Sequence, residues 1–201
     1  MVSFYHDAIT DRSWSVLLEL SRQVPFVLIG GWAAWVYTQG DKSHDVDIVV
    51  DYATLGVLRQ RYVVNKNDRL AKYEIPGDGF DVDIYVEHWS HTLAVAPEVI
   101  LASAVERGGF RVPPAETLLA LKLLAWQARS TSVKGEKDLH DVRGLIPLCD
   151  VDEWRRVMRE SVLPRHRSTV REGLVLALAR LTAKERRPWE RWLTEARQAG
   201  D

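Results

Sequence analysis

Three groups of residues in this chain of 201 residues have the types and spacings that can do chemistry. Asp45 and Asp47 stand two apart at the head of the apolar run Val46, Ile48, Val49, Val50. In a strand, residues two apart point to the same face, roughly 6.5–7 Å apart along the chain. Two unpaired carboxylates on one face repel, and a divalent cation, which takes oxygen ligands, removes the repulsion. Asp81 and Asp83 repeat the device, alternating with Phe80, Val82, Ile84 and Val86. A third carboxylate from that strand would complete a two-ion site. One ion would activate an acceptor hydroxyl and the other would hold a triphosphate in line for displacement. Asp83, flanked by Val82 and Ile84, is the expected third carboxylate; Asp81, on the same face, is the alternative. Upstream, Gly30 and Gly31 close the apolar run Phe26, Val27, Leu28, Ile29. Two glycines let backbone approach a ligand closely, and the amides that open a following helix suit an anion such as a triphosphate. Any one group has a bland explanation, such as an acidic solvent face or a common turn. Together and in this order they favour a site.

The elements that must position these residues can be read from the pattern. Period-two alternation predicts strands over 45–50 and 80–86. A short buried strand is expected over 26–29 and a helix over 32–38. Residues 11–22 form an amphipathic helix with Trp14, Val16, Leu17 and Leu18 on one side, ended by Pro25. Residues 52–61 are expected as helix, 62–64 and 70–75 as strands, and 76–79 as a turn. Residues 99–107 and 110–112 are expected to pair around Gly108 and Gly109. Pro113 and Pro114 make the sharpest break, and helices follow over 115–129, 136–145, 152–161, 167–181 and 183–199. Asp150 or Asp152, and Ser168, are candidate N-caps. The predicted class is α/β (α+β): a mixed β-sheet core flanked by helices over residues 1–112, then a C-terminal helical domain over 113–201.

Composition narrows the class further. Apolar residues make up 46% and charged residues 27%, which allows an ordinary core. The single cysteine, Cys149, excludes an intramolecular disulfide and a cysteine zinc site, and fits a reducing cytosol. The first ten residues hold no apolar run of signal-peptide type, and no stretch approaches the roughly 20 apolar residues of a membrane span. A soluble cytoplasmic protein with no membrane partner is expected. No P-loop, dinucleotide fingerprint or Ser-His-Asp arrangement occurs, so those chemistries lack support. Residues 1–110 hold 9 Lys+Arg against 15 Asp+Glu, and residues 111–201 hold 18 against 13. An acidic half that gathers cations, joined to a basic half that meets phosphates, is one reading of that asymmetry.

The ordered set Ile29-Gly30-Gly31, His44-Asp45-Val46-Asp47-Ile48 and Val82-Asp83-Ile84 resembles the nucleotidyltransferase superfamily over roughly residues 25–90. That family has a Gly-Gly or Gly-Ser turn after a strand, Asp-x-Asp on the next strand and a later acidic residue. Position 31 is Gly where many members have Ser. The resemblance implies a nucleotidyltransferase-type sheet, Mg²⁺ or Mn²⁺ on Asp45, Asp47 and Asp83, and an NTP substrate. Residues 116–141 look like the AbiEii/AbiGii toxin-like branch, with Lys122 on one helix and Lys137-Asp138-Leu139-His140-Asp141 on the next. By that likeness Lys122 reaches the phosphates, Asp138 orients it or serves as a base, and Lys137 beside them is a nucleotide contact or part of a surface pair. His44 stands where relatives often have Thr or Ser, and is either a phosphate contact or a polar strand-end residue. The branch implies an RNA acceptor, for example a tRNA end, and an antitoxin protein as partner. Two alternatives remain: a small-molecule, aminoglycoside-type transferase, and a non-catalytic nucleotide-binding member.

Other residues are weighed more lightly. His88 and His91 lack a carboxylate at clear ligand spacing. Trp32 and Trp35 either flank a base or pack the first helix on the sheet, and packing is favoured. Arg155, Arg156, Arg159, Arg165, Arg167 and Arg171 suit an RNA backbone or a solvated helix face equally well.

Overall fold

A computed structural model describes the backbone of residues 2–198 and the side chains of residues 8–196. Helix α1 (Val2–Gln23) leads into the short buried strand β1 (Val27–Ile29), and α2 (Gly30–Thr38) begins at the glycine pair itself. Strand β2 (Val46–Val50) follows, then α3 (Tyr52–Arg61), whose N-cap Asp51 accepts from the Thr54 amide at 2.7 Å. Strands β3 (Asn65–Asn67), β4 (Lys72–Pro76) and β5 (Asp81–Val86) complete a five-stranded sheet. Its order is β1-β2-β5-β4-β3. β2 and β5 run parallel, and the other neighbours are antiparallel. The parallel pair sits side by side because α3 and the β3–β4 hairpin form the crossover between them.

Helix α4 (Pro97–Ser103) packs on β2, and the hairpin of β6 (Val105–Arg107) and β7 (Phe110–Val112) lies beside β1. The helical half comprises α5 (Ala115–Arg129), α6 (Val133–Leu145), α7 (Val151–Arg156), α8 (Arg167–Leu178), α9 (Ala183–Arg186) and α10 (Glu190–Gln198). α5 and α6 pack on each other and on α2. One hydrophobic cluster runs from Ile9 to Leu193, so both halves share a core. Burying each large apolar side chain in it contributes about 1.5–3 kcal/mol.

The fold matches the predicted class, and four local expectations fail. Residues 62–64 are not a strand: Val63 is exposed, and the strand is the polar Asn65–Asn67. The expected strand over 99–107 is mostly α4, which Pro97 opens at its first turn. Ser168 is not an N-cap: a 3-10 turn at Pro164–His166 precedes α8, and Ser168 bonds Glu172 instead. Asp150 does cap α7, accepting from the amides of Asp152 and Glu153. The helix expected over 183–199 is broken: α9 ends at Arg186, a 3-10 turn over Arg187–Trp189 carries Pro188, which cannot continue the α-helical hydrogen bonding, and α10 resumes at Glu190, residue 199 lying outside the described residues. Among the described residues no helix is long and apolar enough to cross a membrane.

Candidate active site

β2 and β5 do the positioning. Their apolar positions, Val46 and Ile48 on one and Val82, Ile84 and Val86 on the other, are buried. Alternation then turns the acidic positions to the opposite face. The parallel register sets Asp47 opposite Asp83. Antiparallel pairing on the far side of β5 sets Glu74 opposite Asp83. Asp47, Asp83 and Glu74 therefore form a row of carboxylates across three strands. Asp81 stands exposed at the end of β5, in register with Pro76, so the row contains Asp83 and not Asp81.

Burial, and after it like charge, raises two members of the row, while the hydrogen bond from Lys72 lowers Glu74. Burial, then the neighbouring Asp47, push the Asp83 carboxyl up to about 7, against the pull of Lys72. Burial also raises Asp47, with Lys122 opposing and Asp45 adding to the rise. Asp45 sits just before β2: its Oδ1 accepts from the Asp81 amide at 3.4 Å and its Oδ2 meets Lys134 Nζ at 3.2 Å.

The glycine pair has a reason that the sequence does not show. Gly30 has φ +67°, and a Cβ there would stand 2.0 Å from Asp47 Oδ2. Its first job is to leave room for the Asp47 carboxylate. A Cβ on Gly31 would stand 2.5 Å from Ser43 Oγ and 3.0 Å from Lys137 Nζ. Lys137 thus reaches the start of α2, where Ile29 supplies no side-chain cap. Among the described residues no hydrogen bond or ion pair holds the Lys137 ammonium, and burial pushes its pKa down. A half-buried free ammonium at an uncapped helix start is suited to an anion.

A second charged group comes from α5 and α6. Lys122 Nζ lies 2.7 Å from Asp141 Oδ2 and 3.3 Å from Asp138 Oδ1, and Arg129 Nε donates to Asp138 Oδ2 at 2.6 Å. Lys122, Asp138 and Asp141 are all buried. Burial lowers the Lys122 pKa, yet the two aspartates outweigh it and the net shift is upward. Asp45, Asp47 and Asp83 of the first group and Lys122, Arg129 and Asp138 of the second line one cleft of 1170 Å³, together with Gly30, Gly31, His44 and Lys137.

The donor set partly fits a divalent ion. Among the described residues no three His, Cys, Asp or Glu groups stand together as a ready ion site. Asp47 and Asp83 fit by chemistry: they are adjacent oxygen donors, and Asp83 Oδ1 is buried with no hydrogen-bond partner. Asp45 is engaged by Lys134 in this arrangement.

Three cleft residues, Lys72, Tyr85 and Lys134, are not singled out as site residues by the sequence, nor is Glu74, the partner of Lys72. Lys72 and Glu74 alternate with Tyr73 and Ile75, a signal that one strand face carries both charges. The tryptophans pack: Trp32 is 1% exposed, donates to Ser13 Oγ, and lies 4.9 Å from the Trp14 ring. Most of the arginine stretch is engaged locally. Arg155 pairs with Asp152 and Glu195, Arg156 with Glu153, and Arg159 with Glu160. Arg165 and Arg167 donate to backbone carbonyls. His88 faces Glu98 and His91 meets the Trp89 carbonyl, both at the surface.

No protein-family profile matches the chain, and no curated protein matches it significantly. Solved structures similar to it include an antigenic nucleotidyltransferase-like protein from Paracoccidioides brasiliensis, at 17% identity and TM-score 0.40, covering 82% of this chain and 92% of that one. JHP933 from Helicobacter pylori is similar at 14% identity and TM-score 0.46, covering 96% and 98%. With likenesses this distant, function has to be reasoned from the cleft itself.

Proposed function

We propose that the chain is a metal-dependent nucleotidyltransferase that moves a nucleoside monophosphate from an NTP to an acceptor hydroxyl. The observation that carries this reading is the pairing of Asp47 with Asp83 across β2 and β5, packed against the glycines that open α2. Asp47 and Asp83, joined by Asp45, would hold Mg²⁺ or Mn²⁺. Such an ion supplies Lewis-acid polarisation of phosphoryl oxygens and makes an acceptor hydroxyl easier to deprotonate. The rest falls to the protein. The start of α2 and the Lys137 ammonium take triphosphate oxygens. Lys122 lends positive charge from the back wall, fixed in place by Asp138 and Asp141. The acceptor hydroxyl gives up its proton to solvent water as its oxygen attacks the α-phosphorus, the bond to the bridging oxygen breaks, and pyrophosphate leaves with the electron pair.

The acceptor we propose is an RNA end such as that of tRNA, with an antitoxin protein as a further partner, both by the resemblance to the toxin-like branch. Lys42, Lys134 and Lys137 are the natural phosphate contacts because they line the cleft, whereas arginines 155–167 do not. Each labelled NTP, with Mg²⁺ and total tRNA, tests the reading. Label on RNA is expected and is lost in Asp47→Ala. Label on an added aminoglycoside would shift the acceptor to a small molecule. Nucleotide binding without turnover would leave a non-catalytic binder. Transfer that survived in Asp47→Ala would sink the metal assignment.

A further inference from the structure

Lys72 faces the cleft, yet the proposed chemistry has no use for it. It stands at the start of β4 with its side chain 12% exposed. Its ammonium lies 2.6 Å from Asp83 Oδ2 and 3.0 Å from Glu74 Oε1. Glu74 is held in turn by Asn67 Nδ2 at 3.1 Å and is in register with Asp83. The two partners are not equivalent. Asp83 has Asp47 on its other side, whereas Glu74 has Asn65. One partner of the lysine is therefore a carboxylate of the ion site, and the other lies one strand away from it.

We propose that Lys72 is a tethered cation that competes with the divalent ion for Asp83, and that Glu74 is where the ammonium retreats. This rests on the metal-dependent reading above. With no ion bound, the ammonium bridges Asp83 and Glu74 and offsets the repulsion between Asp83 and Asp47. An ion taking Asp83 repels the ammonium, which keeps its second contact on Glu74 and stays paired. Two positive charges near one carboxylate oppose each other, so Lys72 sets how tightly the ion is held. It is a positioning residue that acts through Asp83. The plain alternative is a cross-strand ion pair that only steadies the sheet, and such a pair would leave ion affinity alone.

Binding of Mn²⁺ to the full chain without nucleotide, counted from the paramagnetic resonance signal of the free ion, separates the two. Lys72→Met is expected to tighten Mn²⁺ binding on the order of tenfold. Lys72→Arg keeps the charge and should stay near the wild-type affinity. Glu74→Gln should weaken binding, because the ammonium then has only Asp83. The double variant should bind as Lys72→Met does, since Glu74 acts only through the lysine. Circular dichroism on each variant checks the fold. Should Lys72→Met not fold, Glu74→Gln and Lys72→Arg still decide: unchanged affinity in Glu74→Gln overturns the proposal. Unchanged or weaker binding in a folded Lys72→Met overturns it too, and the metal reading stands if Asp47→Ala still abolishes binding. Binding that ignores Asp47→Ala and Asp83→Ala, or no binding at all, overturns both.

Discussion

Two charged groups face each other across the cleft, and their charges are arranged in opposite ways. On α5 and α6, Lys122 and Arg129 meet Asp138 and Asp141, two positive charges against two negative ones, all within contact distance. On the sheet side, among the described residues, Asp45, Asp83 and Glu74 pair directly with Lys72 and Lys134, and Asp47 has no ion pair and feels Lys122 only at a distance. The helical group is balanced and behaves as structure. The sheet group carries surplus negative charge in a place where burial already disfavours it. A deficit of that kind is a request for a cation, and it tells the two groups apart better than their residue types do.

The largest expected effect tests the unbalanced side. Asp47→Asn should cut transfer by at least about 10³-fold, in the range for losing a central electrostatic group. It should not lower the melting temperature, because it removes a like charge. The balanced side responds in the opposite sense. Lys122→Met leaves Asp138 and Asp141 buried with too little positive charge, and should destabilise the fold by about 3–5 kcal/mol in urea melts. A stable Lys122→Met would break the contrast. Gly30→Ala falls between: the left-handed φ alone costs about 1–2 kcal/mol, and the new Cβ meets Asp47, so stability and ion binding should drop together.

Titration sharpens the comparison further. The unfolded chain releases the Asp83 proton near pH 4, and the folded chain holds it to about 7. Without metal, the folded state binds the extra proton, so this group's contribution to stability falls as pH climbs through that window. Asp83→Asn should remove that part of the slope, and melts at about pH 5 and about pH 8 would show the variant gaining on wild type at the higher value. The smallest effect belongs to the surface: Arg156→Ala breaks an exposed pair with Glu153 and should leave the melting temperature unchanged.

The sequence carried the strands that bear the row, because alternation over 46–50 and 80–86 is a local signal. It carried the glycine pair but assigned its purpose to a ligand, while the nearest atom is a side chain of the protein. Lys134 could not be linked to Asp45 from the sequence, since 89 residues separate them and only tertiary packing brings them together. Lys72 needed the register of β4 on β5. The tripeptide Asn65–Asn67 carries no strand signal, because its residues disfavour strands. Tyr62, Val63 and Val64, with better propensity, lie outside the pairing, whose register follows the turn at Asp68–Ala71.

The shared core has a consequence for how anything reaches the cleft. With one hydrophobic cluster running from Ile9 to Leu193, parting the two walls would expose packed apolar surface and cost free energy. The movable parts at the mouth are the long side chains of Lys42 and Lys134. Admission is then a matter of rotamer changes in methylene chains, on the picosecond-to-nanosecond scale. A ligand would meet a door that flickers rather than a jaw that closes.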